Sequence, residues 1–241
     1  MSRAVVVTGA AGGIGAELCR RMRADGYIAI GIDQHPATAA DIDLRVDLRD
    51  TAQLVTLGME LAREYELKAI VHNAAVQPMA GAGETPVADW LDTLRINVIA
   101  VDALLAGARE DLAAHEGSVV VIGSVHGRAT TSGIAAYATS KAALEGWVRA
   151  AALDLGPRIR VNAVAPGAID TAKLREGFAR WGEESAAERK AVLRQRTALQ
   201  RIGEPRDVAG AVSFLIGDDA RFVTGSVLVV DGGATARLGT E

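Results

Sequence analysis

The chain has 241 residues, of which 49% are apolar and only 4% aromatic, with a formal charge of -4. That length suits one large domain or two small ones, with a core built from Ala, Val, Leu and Ile rather than from aromatic rings. The slight acidity without a basic block argues against nucleic acid or an anionic membrane as partner, and the one cysteine, Cys19, excludes an intrachain disulfide.

Residues 4–7 read as a short apolar strand that runs into Thr8-Gly-Ala-Ala-Gly-Gly-Ile-Gly15. A helix follows with Ile14, Leu18, Cys19 and Met22 on its apolar face. Strand, glycine-rich turn and helix in that order admit a phosphate, because glycine lets backbone approach and the helix start favours negative charge. Gly9, Gly13 and Gly15 follow T-G-x-x-x-G-x-G rather than the usual dinucleotide spacing, and the bland alternative is a tight turn. A second strand, 27–32, ends at Asp33, where a carboxylate suits the ribose hydroxyls of NAD and repels the 2′-phosphate of NADP. At about 4 Å that repulsion is worth ~1 kcal/mol in water and ~4 kcal/mol at an effective dielectric of ~20. Neither 10–14 nor 34–40 offers an Arg or Lys to reverse it.

A third strand, 42–46, ends in Asp47-Leu48, a helix spans 51–65, and a fourth strand, 68–71, ends in His72-Asn73-Ala74-Ala75. Residues 87–113 read as one long apolar helix interrupted by Asn97, which in such a setting is ordinarily bonded locally or bends the helix. Residues 118–122 form a continuous apolar run between Gly117 and Gly123, the pattern of a strand buried on both faces, and Ser124 stands where it ends. The helix from 136 to 155 carries Tyr137 and Lys141 one turn apart on one face. A free phenol titrates near ~10, and bringing it near neutrality needs about 3 to 4 kcal/mol. One cation about 4 Å away supplies ~4 kcal/mol at a dielectric of ~20, so the pair is sufficient, although Y-x-x-x-K alone is also a common surface pattern.

A sixth strand, 159–164, stops at Ala165-Pro166-Gly167. An insertion then runs to about residue 201, with Leu174, Phe178 and Trp181 on one stripe, where either a lid over a ligand or plain packing would lie. Its basic residues, from Lys173 and Arg175 to Arg194 and Arg196, alternate with glutamates as a solvated face. A helix over 205–216 and a last strand over 225–230 precede Asp231-Gly-Gly. His35, His72, His115 and His126 lack metal-ligand spacing, so no metal is expected. No apolar run approaches the ~18 residues of a membrane span, and a strand starting at Ala4 leaves no room for a signal peptide, which predicts no membrane association and a cytoplasmic protein. The alternation of strands and helices predicts one domain over 1–241, an α/β doubly wound Rossmann fold with a parallel sheet of about seven strands and helices on both faces. The strand ends then converge on one crevice.

Assembled in order, these motifs resemble the classical short-chain dehydrogenase/reductase family over essentially the whole chain. The resemblance rests on Thr8 to Gly15, Asn73-Ala-Ala, Asn97, Ser124 thirteen residues before Tyr137-x-x-x-Lys141, and Pro166-Gly-Ala-Ile-Asp-Thr171. Arg201-Ile-Gly-Glu-Pro205 and Thr224-Gly225 to Asp231-Gly-Gly complete it, while Ala75 stands where the family usually has glycine. It implies that Tyr137 is the general acid/base, that Lys141 binds the nicotinamide ribose and lowers the Tyr137 pKa, that Ser124 holds the substrate oxygen, and that Asn97 keeps a relay water behind Lys141. It further implies NAD held by Gly9, Gly13, Ile14, Gly15, Asn73 and Pro166, with Asp33 on the adenosine ribose, Asp47 and Leu48 on the adenine, and Ile169 and Thr171 on the carboxamide. Val125, His126, Ala168, Leu174, Phe178 and Trp181 would surround the substrate beside Ser124 and Tyr137, under a lid over about 172–201. Oxidation of a small polyol, sugar or hydroxy acid by a homotetramer is the resulting expectation. The alternatives are a 3-oxoacyl thioester or other ketone reductase preferring NADPH and, from another class, a non-catalytic dinucleotide sensor or scaffold.

Overall fold

A computed structural model describes residues 1–179 and 183–236. Short apolar runs, most of them buried, set seven strands: β1 (Arg3–Thr8), β2 (Ile28–Asp33), β3 (Ile42–Arg45), β4 (Glu66–His72), β5 (Ser118–Ile122), β6 (Arg160–Pro166) and β7 (Val227–Val230). They form one sheet in the order β3-β2-β1-β4-β5-β6-β7, every neighbouring pair parallel. The helices are α1 (Gly13–Ala24), α2 (Thr51–Glu64), α3 (Val87–Leu94), α4 (Ala100–Ala114), α5 (Ala135–Leu155), α6 (Ala172–Ala179), α7 (Glu183–Arg196) and α8 (Pro205–Ile216).

Both faces of the sheet are covered, which is why the central strands lack polar alternation, whereas the edge strand β3 alternates Ile42 and Leu44 with Asp43 and Arg45. Along β1, Ala4 and Val6 join one core with Leu54, Leu104, Leu112 and Leu144 of α2, α4 and α5. Val5 and Val7 point the other way, into a second core with Leu18, Cys19 and Met22 of α1 and Val212 and Leu215 of α8. Burial there pushes the Cys19 thiol up to about 11, as suits a core residue rather than a nucleophile. With so few aromatic rings, helices approach closely. A Cβ on Gly107 of α4 would stand 2.1 Å from the Val55 carbonyl oxygen of α2, and one on Gly58 would stand 2.5 Å from that of Leu104.

After β1 the chain winds outward through β2 and β3, then returns to place β4 on the other side of β1. The carboxyl ends of β1 and β4 therefore open a crevice where the winding reverses, the position at which such sheets take ligands. Asn73 at the end of β4 ties the two strand ends together, its Nδ2 donating to the Thr8 and Gly9 carbonyls at 3.2 and 3.0 Å.

The helix expected over 87–113 runs without a gap from Val87 to Ala114, α3 and α4 being joined by a π-helical turn, Arg95–Ile99, centred on the fully buried Asn97. The wider turn accompanies an Asn97 side chain bonded outside its own helix, to Val76 and Ser140. The insertion after β6 folds as α6 and α7, and Trp181, expected on its apolar stripe, lies outside the described residues. Among the described residues no helix is long and apolar enough to cross a membrane.

Candidate active site

The glycine-rich loop has the form its sequence requires. Gly9 adopts φ +66°, and a Cβ there would lie 2.7 Å from the Ala74 Cα; one on Gly15 would lie 2.0 Å from the Gly9 carbonyl oxygen. Helix α1 starts at Gly13 with no side chain capping its first amides, so its positive end is left for a ligand. From across the crevice Thr171 closes on this loop, its Cγ2 standing 3.1 Å from where a Gly13 Cβ would be. Asp33 ends β2 with Oδ2 accepting the Ala11 amide at 3.1 Å and Oδ1 the His35 amide at 2.9 Å. Leu48 is buried, and Asp47 is held below the usual carboxylate range first by the Arg49 guanidinium donating to it. A wall that excludes any Cβ, an uncapped helix start and a carboxylate at the next strand end fit a dinucleotide, with Gly9, Gly13, Gly15, Asp33 and Thr171 placed to hold it.

On the opposite side of the crevice stand the catalytic candidates. Ser124 continues β5 in extended conformation, 7% exposed, its Oγ accepting the His126 amide at 3.2 Å. Tyr137 lies in the first turn of α5, with the His126 ring edge-on at 6.2 Å between centroids. Lys141, one turn on, is only 2% exposed, and its Nζ stands 5.5 Å from the centre of the Tyr137 ring.

The charge states differ from the expectation that Lys141 depresses the phenol. Lys141 Nζ donates instead to the Ile122 carbonyl at 2.7 Å. Burial pushes the Tyr137 pKa above its ordinary value, and a hydrogen bond with Ser124 only draws it back in part. Burial, with the nearby Lys173 ammonium, pushes Lys141 itself down to about 7. The cause is geometric: sharing a helix face sets the separation of two side chains along the axis, while the nearest acceptor in a dry site decides where an ammonium points.

Asn97 joins the site through three elements. Its Oδ1 accepts the Val76 amide at 2.8 Å, and its Nδ2 donates to the Val76 carbonyl at 3.0 Å and to Ser140 Oγ at 2.9 Å. Ser140 in turn donates to the Tyr137 carbonyl at 2.7 Å, so the loop after β4 is locked to α5. His72, a residue that composition and spacing left without a role, lies beneath. Thr8 Oγ1 already accepts the amides of Asn73 and Ala74, both at 3.2 Å, so its proton goes to His72 Nδ1 at 2.9 Å. Nε2 is then the protonated nitrogen and donates to the Asn97 carbonyl at 3.3 Å. Burial, then the Lys141 charge, pushes the His72 pKa down to about 3 and keeps the ring neutral. Its place immediately before Asn73 at a strand end was the only signal in the sequence.

The expected substrate residues come together in part. Ser124 and Val125 line a cavity of about 240 Å³ with Arg128, Ala129, Ala165, Val229 and Thr235. Ala168 and Ile169 line an adjoining one of about 350 Å³, with Val229 common to both. His126, at the catalytic end, bonds Thr130 Oγ1 at 3.2 Å, and Leu174 and Phe178 are half-buried on α6. Lys173 on α6 is exposed, as its place on the solvated face predicts, yet partial desolvation lowers its pKa and its charge is felt at Lys141. Chemically, a phenol hydrogen-bonded to a serine, a buried ammonium and an open helix start make a crevice able to exchange a proton with an alcohol or ketone oxygen beside an anionic ligand.

A family profile described as enoyl-(acyl carrier protein) reductase matches residues 9–235. The chain is 34% identical to the cis-4-hydroxycyclohexanecarboxylate dehydrogenase of Sinomonas cyclohexanicum, covering 97% of each. It is 32% identical to the human dehydrogenase/reductase SDR family member 4, covering 98% of this chain and 89% of the relative. A crystal structure of a putative NAD(P)-dependent gluconate 5-dehydrogenase from Beutenbergia cavernae with bound NADP superposes with a TM-score of 0.88 at 32% identity, over 98% of this chain and 97% of that one.

Proposed function

The chain belongs to the classical short-chain dehydrogenase/reductase family, with relatives named as dehydrogenases of a hydroxycyclohexanecarboxylate and, NAD(P)-dependent, of gluconate, and from that premise we propose that it oxidises a secondary alcohol with NAD, using Tyr137 as the general acid/base. The observation that carries this reading is the convergence of Ser124, Tyr137 and Lys141 on the crevice that the uncapped glycine loop opens. The cofactor supplies the acceptor for a hydride. This chain's residues do the rest: Ser124 holds the substrate oxygen, Tyr137 takes the hydroxyl proton in oxidation and returns it in reduction, and Asn97 fixes the helix start that carries Tyr137. With the Tyr137 phenol held above its ordinary pKa, the acid form dominates near neutrality, so oxidation accelerates as pH rises toward that pKa.

NAD is preferred over NADP because Asp33 ends β2 beside the loop. A small hydroxy acid, sugar or polyol is the substrate class; the Sinomonas and Beutenbergia relatives, named for a ring hydroxy acid and for gluconate, support it. Residues 172–201 serve as the lid, and the protein assembles as a homotetramer through its α4 and α5 faces. A reductase of 3-oxoacyl thioesters is the second reading; the matching profile is described for an enoyl thioester reductase, which shares the acyl thioester but not the ketone.

The deciding experiment pairs calorimetric titration of NADH and NADPH with turnover of Tyr137→Phe on a panel of hydroxy acids, sugars and polyols. The variant should lose turnover by about 10²- to 10⁴-fold while NADH affinity stays within about threefold. Near-normal turnover in the variant would remove Tyr137 from the chemistry, and tighter binding of NADPH would move the function to reduction.

A further inference from the structure

The corner that reads the adenosine end of the cofactor contains a cation that no scan along the chain around Asp33 discloses. In the β2–β3 register Asp33 pairs with Arg45, and Gly31 with Asp43. Asp43 and Arg45, two apart on one strand, share a face. Asp43 Oδ1 accepts the Ala37 amide at 3.2 Å, and Asp43 Oδ2 accepts Arg45 Nε at 3.2 Å. Arg45 Nη1 reaches on to the carbonyl of Gln34, the residue after Asp33, at 3.4 Å. The guanidinium is thus tethered at the mouth of the Asp33 site, and its Nη2 is left to face solvent or a ligand.

The two other arginines of this corner are committed. Arg49 spends its guanidinium on Asp47 and Asp92, and Arg23 pairs with Asp41 at 2.8 Å. Asp33 is itself directed inward, to the Ala11 amide of the glycine loop.

Resting on the dinucleotide reading above, we propose that Arg45 is a cofactor-specificity residue that receives the 2′-phosphate of NADPH, so that the protein accepts NADPH as a second cofactor which Asp33 alone would exclude. Asp33 by itself would weaken NADPH by up to about a thousandfold. An exposed guanidinium partly neutralised by Asp43 recovers about tenfold of that, the scale of one solvent-facing charge contact. The arrangement fits an enzyme whose preference for NAD is graded rather than absolute.

Calorimetry tests this on the intact protein with NADH, NADPH and 2′,5′-ADP, in the wild type and in Arg45→Gln and Arg45→Lys. Arg45→Gln should weaken NADPH and 2′,5′-ADP by about tenfold and leave NADH within about threefold, while Arg45→Lys keeps the affinity for both phosphorylated ligands within about threefold of the wild type. Added salt should weaken NADPH binding more steeply in the wild type than in Arg45→Gln. An equal loss for NADH and NADPH would reduce Arg45 to a structural tether of the 34–40 loop and overturn the assignment, as would no loss for either phosphorylated ligand. A wild type that binds neither nucleotide would overturn the dinucleotide reading itself, and the role of Arg45 with it.

Discussion

Lys141 destabilises the protein it serves, by an amount that a single substitution exposes. Its ammonium is buried with the Ile122 carbonyl as its hydrogen-bond acceptor, and its pKa falls from 10.5 to about 7. At ~1.4 kcal/mol per tenfold change, holding the charged form folded costs about 5 kcal/mol relative to water. Lys141→Met keeps most of the volume and removes the charge, at the loss of one hydrogen bond and with the Ile122 carbonyl left dry, together about 2 kcal/mol. The variant should therefore be more stable by about 3 kcal/mol at pH 6, and melt about 6 to 12 °C higher for a chain of this size. The pH dependence has a definite sign. Below about 7 both folded and unfolded states hold the proton and the full cost stands. Between about 7 and 10.5 the unfolded chain holds one proton more, so wild-type stability rises with pH and the advantage of the variant shrinks. Urea denaturation of both proteins at pH 6 and pH 9.5 measures this. A variant no more stable than wild type at pH 6, or an advantage equal at both pH values, would refute the argument that desolvation of Lys141 sets its pKa.

His72 gives the opposite test, in acid. Its pKa falls from 6.5 to about 3, so between those values the unfolded chain binds a proton that the folded chain refuses, and stability drops as pH falls through that window. His72→Phe should flatten that acid dependence by one proton while costing about 2 to 4 kcal/mol at pH 7, because the Thr8 hydroxyl and Asn97 carbonyl lose their partner; an unchanged slope between pH 4 and 6.5 in urea titrations would count against a buried neutral ring. At the α2–α4 crossing, Gly107→Val should cost about 3 kcal/mol, since its Cβ would stand 2.1 Å from a backbone oxygen. Gly146→Ala on α5, whose Cβ would meet only the tip of Arg149 at 3.9 Å, should instead stabilise by about 0.5 to 1 kcal/mol, and thermal melts in which the two glycines behave alike would remove the packing argument.

The sequence by itself determined the order of elements, the parallel sheet and the identity of most of the crevice. Apolar runs without alternation require a sheet covered on both faces, and a glycine turn between strand and helix requires close backbone approach; both are local signals. Tyr137 and Lys141 were legible for the same reason, since one helical turn fixes their shared face. What the sequence could not determine depends on groups brought together across the sheet. The direction of the Lys141 ammonium was decided by a carbonyl nineteen residues away on β5. The π turn at Asn97 was decided by Val76 and Ser140, and the role of His72 by Thr8 and Asn97. The effect of the Lys173 charge on Lys141 needs α6 in place beside the crevice, and Arg45 reads as a surface arginine until the β2–β3 register sets it opposite Asp33. Periodicity along a chain states which way a residue faces within its own element, whereas charge state and hydrogen-bond partner are set by neighbours that only the register between elements supplies.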